Sequence, residues 1–397
     1  MTMLANAGGV PPVRRAFLRV GGISIARQQA VLALHLRCER VVCIAGGLSP
    51  DLLDIQHLVE ASGAGFHVIG DGRGLARLVT AVDELIVFDD GLFTSTTQAA
   101  SLLEEGQAVL VQPVEAGLAA GFERIDLNHA SAGAMRLPGR LVERLSDLPA
   151  DCDVASALLR IALQAGIRQR QIPIPGQDGL FWTLLRDEDE AHALEPQWVR
   201  QRTRDEGALS PARAVALGIV RGLGPAMLHA GSGARTVVFG AAAMALMALG
   251  SGWFGFFILG LALAAIGWIL RDVAVLLARI EADPGVSRRG LDKSEVYGWL
   301  IDGLIIVLTA WAMPGGGSWL QMDRYFAPFM LVAVLRLMPR LVSPRWSGWF
   351  GDRALLAGAV AGAVATGFGA GAIQAAAALL ALVALVLPLG QSRLTRP

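Results

Sequence analysis

The feature that most constrains this chain is a series of apolar segments that begins near Arg235 and continues towards the C-terminus. A helix of about 20 apolar residues crosses the hydrocarbon core of a bilayer. The sequence therefore predicts an all-α membrane domain of six transmembrane helices over residues 233–397. We place these helices at roughly 233–250, 252–271, 296–313, 325–342, 354–369 and 371–389.

Composition separates this membrane domain from the first half of the chain. Hydrophobic residues make up 54% of the 397 residues and charged residues 17%, and nearly all of the apolar excess follows Arg235. We therefore expect residues 1–185 to form a separate, soluble domain. The formal net charge is zero, so nothing indicates a nucleic-acid partner.

Loop charges predict the orientation of the membrane domain. Basic residues mark cytoplasmic loops. One set of loops carries nearly all of them, whereas the opposite set carries Arg324 alone. An even number of spans, with no signal-peptide pattern, predicts a multi-pass inner (cytoplasmic) membrane protein with both termini and the soluble domain in the cytoplasm. The residues of the basic set are Arg279, Arg288, Arg289, Lys293, Arg340, Arg345, Arg353, Arg393 and Arg396.

Residues 186–232 connect the two domains. The stretch 186–213 carries many charges of both signs, which predicts a solvated linker. The moderately apolar stretch 209–230 contains Arg213 and Arg221 and favours a helix that lies along the membrane surface. A plain connector or a packed soluble helix is the alternative interpretation.

Glycine pairs in the last two apolar segments have the GxxxG spacing: Gly358 with Gly362, and Gly367 with Gly371. Small residues at this spacing let helix backbones approach closely. Packing within the chain is the simpler interpretation, and a homodimer formed through transmembrane helices is the alternative.

Residues 14–184 alternate between strand-like and helix-like patterns, which favours a Rossmann-like α/β domain with a mostly parallel sheet. The predicted strands are Val41–Ala45, Phe66–Ile69, Glu84–Phe88, Ala108–Val111 and Gln171–Ile174. The predicted helices lie near 24–37, 51–63, 97–105, 139–147 and 153–165.

Two features follow strands of this predicted sheet, where α/β proteins bind their ligands. Asp89 and Asp90 come directly after Glu84–Phe88, and a carboxylate pair there could hold Mg²⁺ or Mn²⁺ beside phosphates. A solvated turn explains the same two residues. The glycine-rich stretch Gly70–Gly74 could wrap a phosphate, and a plain loop is its alternative.

Ionisable residues inside apolar segments are costly and usually functional. Arg271, Asp272 and Asp302 are of this kind, and Arg279 follows at the end of the second segment. An internal ion pair that satisfies itself is the simpler interpretation. A pocket for a lipid head group or a metal ion is the functional one.

The stretch Arg15–Arg40 resembles the start of nucleotidyltransferases with a MobA-like or sugar-nucleotide pyrophosphorylase-like fold. There a glycine-rich loop is followed by a lysine, a short apolar run, a glycine and a helix. The resemblance implies a nucleotidyltransferase-like fold over residues 1–185. It also implies a nucleotide site at Gly8, Gly9 and Arg15, with Asp89 and Asp90 as the metal-binding acids.

The stretch Ser287–Thr309 is similar to the segment that leads into the third helix of the CDP-alcohol phosphatidyltransferases, which also have six spans. A soluble nucleotidyltransferase joined to such a membrane domain is the layout of the bifunctional inositol-phosphate cytidylyltransferases. The resemblance implies a nucleotide or a CDP-alcohol as ligand and membrane lipids as partners.

The chain departs from both families. Its only lysine is Lys293, so Arg15 stands where the first family has its lysine, and the glycine loop is short. In the second family four aspartates bind metal, but none is in register here: Arg271, Ala274, Ser294 and Gly298 occupy their positions. We therefore expect weak binding of nucleoside triphosphates and no dinuclear metal centre.

These observations favour a catalytically degenerate membrane protein of phospholipid or related lipid head-group metabolism. It would bind lipid or head group through Arg271, Arg279, Arg288 and Arg289. The alternative is an active phosphotransferase that joins a phospho-alcohol to a lipid, with Asp272 and Asp302 as rearranged catalytic acids and Mg²⁺ or Mn²⁺ as cofactor. A transporter or a membrane scaffold is the remaining class.

The basic loops predict that residues 280–295 and 340–353 face the cytoplasm. Single cysteines introduced into these loops, in a background without the native three, should resist a membrane-impermeant thiol reagent. Cysteines at 315–318 should react. Labelling of 340–353 from outside would overturn the predicted topology.

Overall fold

A computed structural model describes residues 1–7, 13–149, 152–173, 180–204, 207, 210–229, 233–281, 293–313 and 323–391. The described residues divide into two compact units. The first runs to Trp198 and the second begins at Val199.

The first unit is an α/β structure, as expected. Its strands are β1 (Arg19–Val20), β2 (Ile23–Ser24), β3 (Arg40–Ile44), β4 (Gly65–Ile69), β5 (Glu84–Phe88), β6 (Leu92–Thr94), β7 (Ala108–Pro113), β8 (His129–Pro138), β9 (Gln169–Gln171) and β10 (Trp182–Leu184). Its helices are α1 (Ile25–His35), α2 (Pro50–Ala61), α3 (Gly72–Leu78), α4 (Thr96–Glu104), α5 (Val114–Ala119) and α6 (Val154–Gln164), with 3₁₀ helices at Arg15–Phe17 and Gly139–Asp147. Helix α7 (Glu188–Arg202) runs across the boundary between the units.

Backbone hydrogen bonds join the N-terminal residues to β3 and to the end of β5. Thr2 bridges Ile44 of β3 in parallel. The N–H of Met3 donates to Ile44 O at 3.0 Å, and the N–H of Thr2 donates to Phe88 O of β5 at 3.5 Å. The described strands pair as a two-stranded sheet β3-β4 and a four-stranded sheet β5-β8-β7-β9, and the N-terminal residues hydrogen-bond to one strand of each.

The sheet is mixed, which corrects the prediction of a mostly parallel sheet. Strand β8 lies between β5 and β7 and is antiparallel to both, whereas β3 with β4 and β7 with β9 are parallel. The alternation of elements along a sequence does not encode strand direction, so it could not reveal this. Hydrophobic pattern alone did not predict strand β8, because its many alanines and its glycine give a weak strand pattern. The resemblance to nucleotidyltransferases did associate 120–137 with the later strands of that family.

Side-chain caps and buried faces explain why the surrounding helices form where the sequence predicts them. The hydroxyl of Ser49 accepts from the N–H of Leu52, with Pro50 at the first helical position of α2. Asp153 caps α6 in the same way. Helix α6 then buries Leu158 and Ala162 in one apolar cluster of the unit.

The second unit is helical. Its helices are α8 (Pro211–His229), α9 (Gly233–Trp253), α10 (Phe257–Glu281), α11 (Lys293–Ala312), α12 (Asp323–Leu341), α13 (Pro344–Gly351), α14 (Arg353–Ala365) and α15 (Gly369–Gln391). Within the described residues, four stretches are long and apolar enough to cross a membrane: Gly233–Trp253, Phe257–Glu281, Glu295–Ala312 and Gly369–Val386.

This count corrects the prediction of six spans. The predicted span 325–342 is helix α12, which carries Arg324, Arg336 and Arg340 and is too polar by composition. The predicted span 354–369 is helix α14, whose 13 residues rise about 20 Å and fall short of the hydrocarbon core. By composition in the first case and by length in the second, neither helix is among the candidate spans.

Helix α7 occupies most of the stretch predicted to be a solvated linker. It is charged overall, yet it buries Glu195 and Trp198. The Trp198 ring packs edge-on against Phe93 and Phe181, at centroid distances of 5.0 and 5.3 Å. Glu195 Oε1 accepts from the N–H of Gly21 at 3.2 Å. These contacts tie the helix to the α/β unit.

Asp352 joins two helices of the second unit. Its Oδ1 accepts from the N–H groups of Ala354 and Leu355 at the start of α14. Its Oδ2 accepts from the N–H of Ala212 at the start of α8, at 2.8 Å. One buried carboxylate therefore satisfies both helix starts.

Replacing Asp352 by alanine should leave these buried N–H groups without an acceptor and cost about 1–3 kcal/mol of stability. Thermal unfolding of the detergent-purified protein measures the loss. Asp352→Asn retains one cap oxygen but presents an NH₂ donor in place of the other, so it should lose only part of this stability. Equal melting temperatures for the alanine variant and the native protein would contradict the capping role.

Candidate functional site

A cavity of about 450 Å³ lies at the carboxyl end of β5, where the N-terminal segment and β8 also meet. Its lining includes Ala5, Arg15, Asp89 and Asp90. The structure thus brings together three of the residues that the sequence predicts to bind nucleotide or metal. The other two, Gly8 and Gly9, lie outside the described residues.

Asp90 is held at one oxygen and open at the other. Its Oδ2 accepts from the N–H of Ala5 at 2.7 Å. Its Oδ1 is buried and has no hydrogen-bond partner within the described part of the chain, and the same holds for Nε of Arg15. Since buried polar atoms are normally hydrogen-bonded, a carboxylate oxygen and a guanidinium nitrogen here both lack a partner that a ligand could supply.

Asp89 is fixed by its backbone and by a glycine. Its N–H donates to Gly133 O of β8 at 2.8 Å. A Cβ at Gly133 would lie 2.9 Å from the Phe122 ring and 3.2 Å from Asp89 Oδ2, and Gly133 has a positive φ of 73°. Only glycine fits at this point of β8.

Burial and neighbouring acids raise the pKa of both carboxyl groups. Burial, followed by the negative charges of Asp153, Glu123 and Asp90, raises the pKa of Asp89 to about 7. Burial raises the pKa of Asp90 to about 6, against the opposing effects of the Ala5 N–H and the positive charge of Arg15. When ionised, the four lining carboxylates Asp89, Asp90, Glu123 and Asp153 outnumber Arg15, so the cavity attracts cations.

Sequence reasoning did not select Glu123, Asp153 or Gly133 as cavity residues. Asp153 also caps α6, accepting from the N–H of Ala155, and Glu123 forms a 3.0 Å ion pair with Arg160. Asp153 could have been recognised as a helix cap before an apolar run. The other two come from elements distant in sequence, and no local pattern marks them.

The described residues contain no group of three or more His, Cys, Asp or Glu side chains placed to hold a metal ion. Asp89 and Asp90 can still contribute to a magnesium site, because Mg²⁺ commonly uses one or two protein carboxylates plus water and substrate phosphates. In the predicted phosphate loop Gly70–Gly74, Asp71 caps the short helix α3 by accepting from the N–H of Gly74 at 2.8 Å. That geometry favours the plain-loop interpretation.

In the helical unit, Asp302 is enclosed by two arginines. Its Oδ1 accepts from Nε of Arg353 at 2.7 Å, its Oδ2 lies 3.4 Å from Nη2 of Arg353, and Oδ2 also accepts from Nε of Arg336. The three residues come from α11, α12 and α14. This candidate catalytic acid is thus fully engaged in an internal ion-pair cluster.

Asp272 is also paired. Its Oδ1 accepts from Nη1 of Arg271 at 2.8 Å, and the Arg271 guanidinium lies 4.7 Å from the centroid of the Trp268 ring. Arg279 is exposed, and eight residues of helix separate it from Arg271 by about 12 Å. The structure does not bring these two predicted head-group ligands together. The other two, Arg288 and Arg289, lie outside the described residues.

No protein-family model matches the chain, and no curated protein matches it significantly. The resemblance of the two halves to nucleotidyltransferases and CDP-alcohol phosphatidyltransferases therefore stays a prediction.

The raised pKa of Asp89 predicts how stability changes with pH. Its pKa is about 7 in the folded protein, against an ordinary value of 3.8, so the folded state holds the proton more tightly between those pH values. Stability should therefore fall as pH rises from about 4 to 7. Asp89→Asn should remove this loss and, after allowance for solvent screening, raise stability at pH 8 by about 1–2 kcal/mol.

Thermal unfolding of the detergent-purified protein across this pH range tests the prediction. Asp54→Asn, at an exposed position on α2, is the control and should leave the pH profile unchanged. A profile for Asp89→Asn identical to that of the native protein would show that Asp89 is not titrating in this window.

Proposed function

We propose that this is a membrane protein of lipid head-group metabolism. Its α/β unit binds a phosphate-bearing ligand, such as a nucleotide or a phospho-alcohol, together with Mg²⁺ or Mn²⁺. Its helical unit holds lipid without catalysing head-group transfer. The observation that carries the proposal is the cavity where Arg15, Asp89 and Asp90 converge.

The charges of this cavity support a cation and a phosphate together rather than either alone. A phosphate by itself would meet several carboxylates and one arginine, so repulsion would dominate. A divalent cation between the Asp89–Asp90 pair and the phosphate oxygens would attract both groups, so the net interaction becomes attractive. Arg15 then provides a donor to an outer phosphate oxygen.

The ion pairs of the helical unit support the absence of transfer chemistry. A metal-dependent transfer of a phospho-alcohol needs several carboxylates to clamp its metal ions. Asp302 is saturated by two guanidinium groups and Asp272 is paired with Arg271. The alternative, an active phosphotransferase, requires both acids to exchange these partners for metal.

Localisation and assembly belong to the same proposal. Four candidate spans support a membrane protein, and an even number of spans would place both termini on the same side of the membrane. We propose that this side is the cytoplasmic side of the inner membrane, although four spans put Arg340, Arg345 and Arg353 on the opposite side from Arg288 and Arg289. A Cβ added at Gly358 or Gly362 would contact no described atom. That open face supports the homodimer alternative raised by the GxxxG spacing.

Binding of CTP to the full-length protein in detergent tests the proposed cavity. We expect weak binding, with a dissociation constant of about 0.1–1 mM, that requires Mn²⁺ or Mg²⁺. Asp90→Asn and Arg15→Ala should each weaken it about tenfold or more. Arg19→Ala, outside the cavity, is the control, since Arg19 forms an exposed ion pair with Asp51.

Metal-independent binding, or equal affinity in Asp90→Asn, would reject the cavity as a metal–phosphate site.

A separate assay, the release of CMP, tests the alternative function. Steady release of CMP from CDP-alcohol and lipid acceptors, lost in Asp272→Ala or Asp302→Ala, would establish an active transferase.

A further inference from the structure

The ion-pair cluster around Asp302 contains one more positive charge than negative charge. Asp302 is the only acid that Arg336 and Arg353 contact among the described residues. Its side chain is 4% exposed and that of Arg353 is 6% exposed. An excess cation among apolar helices is costly unless an anion or water compensates it.

Arg336 is the member of this cluster that reaches the surface. Arg353 is enclosed, and its Nη1 donates to Phe350 O at 3.0 Å. Arg336 is 29% exposed, and no described residue accepts a hydrogen bond from its Nη1 or Nη2. One edge of its guanidinium is therefore held by Asp302, while the two outer nitrogens remain available.

The surroundings of Arg336 fix its orientation. The guanidinium carbon lies 3.5 Å from the centroid of the Trp299 ring, close enough for a cation–π contact. Gly298 lies beside it, because a Cβ there would be 3.7 Å from Nη2 of Arg336 and 3.9 Å from the Trp268 ring.

The same surface is apolar and faces outwards. Trp299 is 64% exposed, and Val296 and Leu300 on the same candidate span are also exposed. In a bilayer such side chains contact lipid, and tryptophan prefers the level of the head groups. An ordered arginine beside an exposed tryptophan thus lies where a lipid phosphate can reach it.

We propose that Arg336, held by Asp302 and stacked on Trp299, binds the phosphate of an anionic lipid head group at the side of the helical unit. The two outer nitrogens supply the bidentate geometry that guanidinium groups offer to phosphate. The inference rests on the proposed lipid-binding role of the helical unit, and assigns it to a residue that sequence reasoning did not select.

Native mass spectrometry of the full-length protein with phosphatidylglycerol or phosphatidylcholine tests this site. The native protein should retain phosphatidylglycerol about tenfold more tightly. Arg336→Gln should lose this preference and leave Asp302 and Arg353 as a neutral pair. Arg336→Lys keeps the positive charge but not the paired N–H donors of the guanidinium group, and it should lose part of the preference for phosphatidylglycerol. Arg340→Gln removes an exposed charge one turn along α12 and should behave like the native protein.

Competition with inorganic phosphate at millimolar concentration shows whether the site recognises the phosphate group alone or the whole lipid. Displacement of phosphatidylglycerol would identify the phosphate alone as the recognised group, and persistence would identify the lipid; both outcomes support the site. Equal retention by Arg336→Gln and Arg340→Gln overturns it, as does a native protein without preference. If Arg336→Gln fails to fold, the Arg336→Lys comparison decides.

CTP binding to the same samples separates this proposal from the wider one. Lipid preference lost in Arg336→Gln, with unchanged CTP binding, supports the site. An unchanged lipid preference overturns it and leaves the α/β cavity unaffected. Loss of CTP binding in Asp90→Asn leaves the lipid result unaffected.

Discussion

The carboxylate of Asp302 binds two guanidinium groups from two other helices, and the described helical unit is organised around that contact. Arg336 and Arg353 lie 34 and 51 residues further along the chain, on α12 and α14. In an apolar surrounding, a buried charge without its partner is strongly destabilising. The contact therefore fixes which faces of α11, α12 and α14 meet. It also explains why an acid in a candidate span need not be catalytic.

Carboxylates perform similar organising roles elsewhere in the chain. Asp352 satisfies the starts of α8 and α14, and Asp153 caps α6 beside the α/β cavity. Acids with complete hydrogen-bonding partners serve the fold. Asp90 differs because one of its oxygens is buried and has no hydrogen-bond partner among the described residues. The acids that stabilise the fold have hydrogen-bond donors at their carboxylate oxygens. An acid with an oxygen that lacks a donor can instead bind a ligand.

The two units thus differ in the sign of the charge at their candidate sites. In the α/β unit, four carboxylates and one arginine leave a negative cavity that suits a cation bridging to phosphate. In the helical unit, the cluster around Asp302 is positive and opens at Arg336 towards an apolar surface. A divalent cation fits the first and an anionic head group fits the second.

The sequence by itself determined the division into an α/β part and a helical part, because hydrophobicity is local and is read directly. It placed β5 at Glu84–Phe88 with Asp89 and Asp90 at its end, and helices α1, α2, α4 and α6 within two residues of their observed bounds. Strand direction and the pairing of the alanine-rich β8 were decided by the tertiary structure. So were the partners of Asp302 and the approach of Gly133 to Asp89. These features depend on groups far apart along the chain, and no periodicity in a sequence records which distant groups will meet.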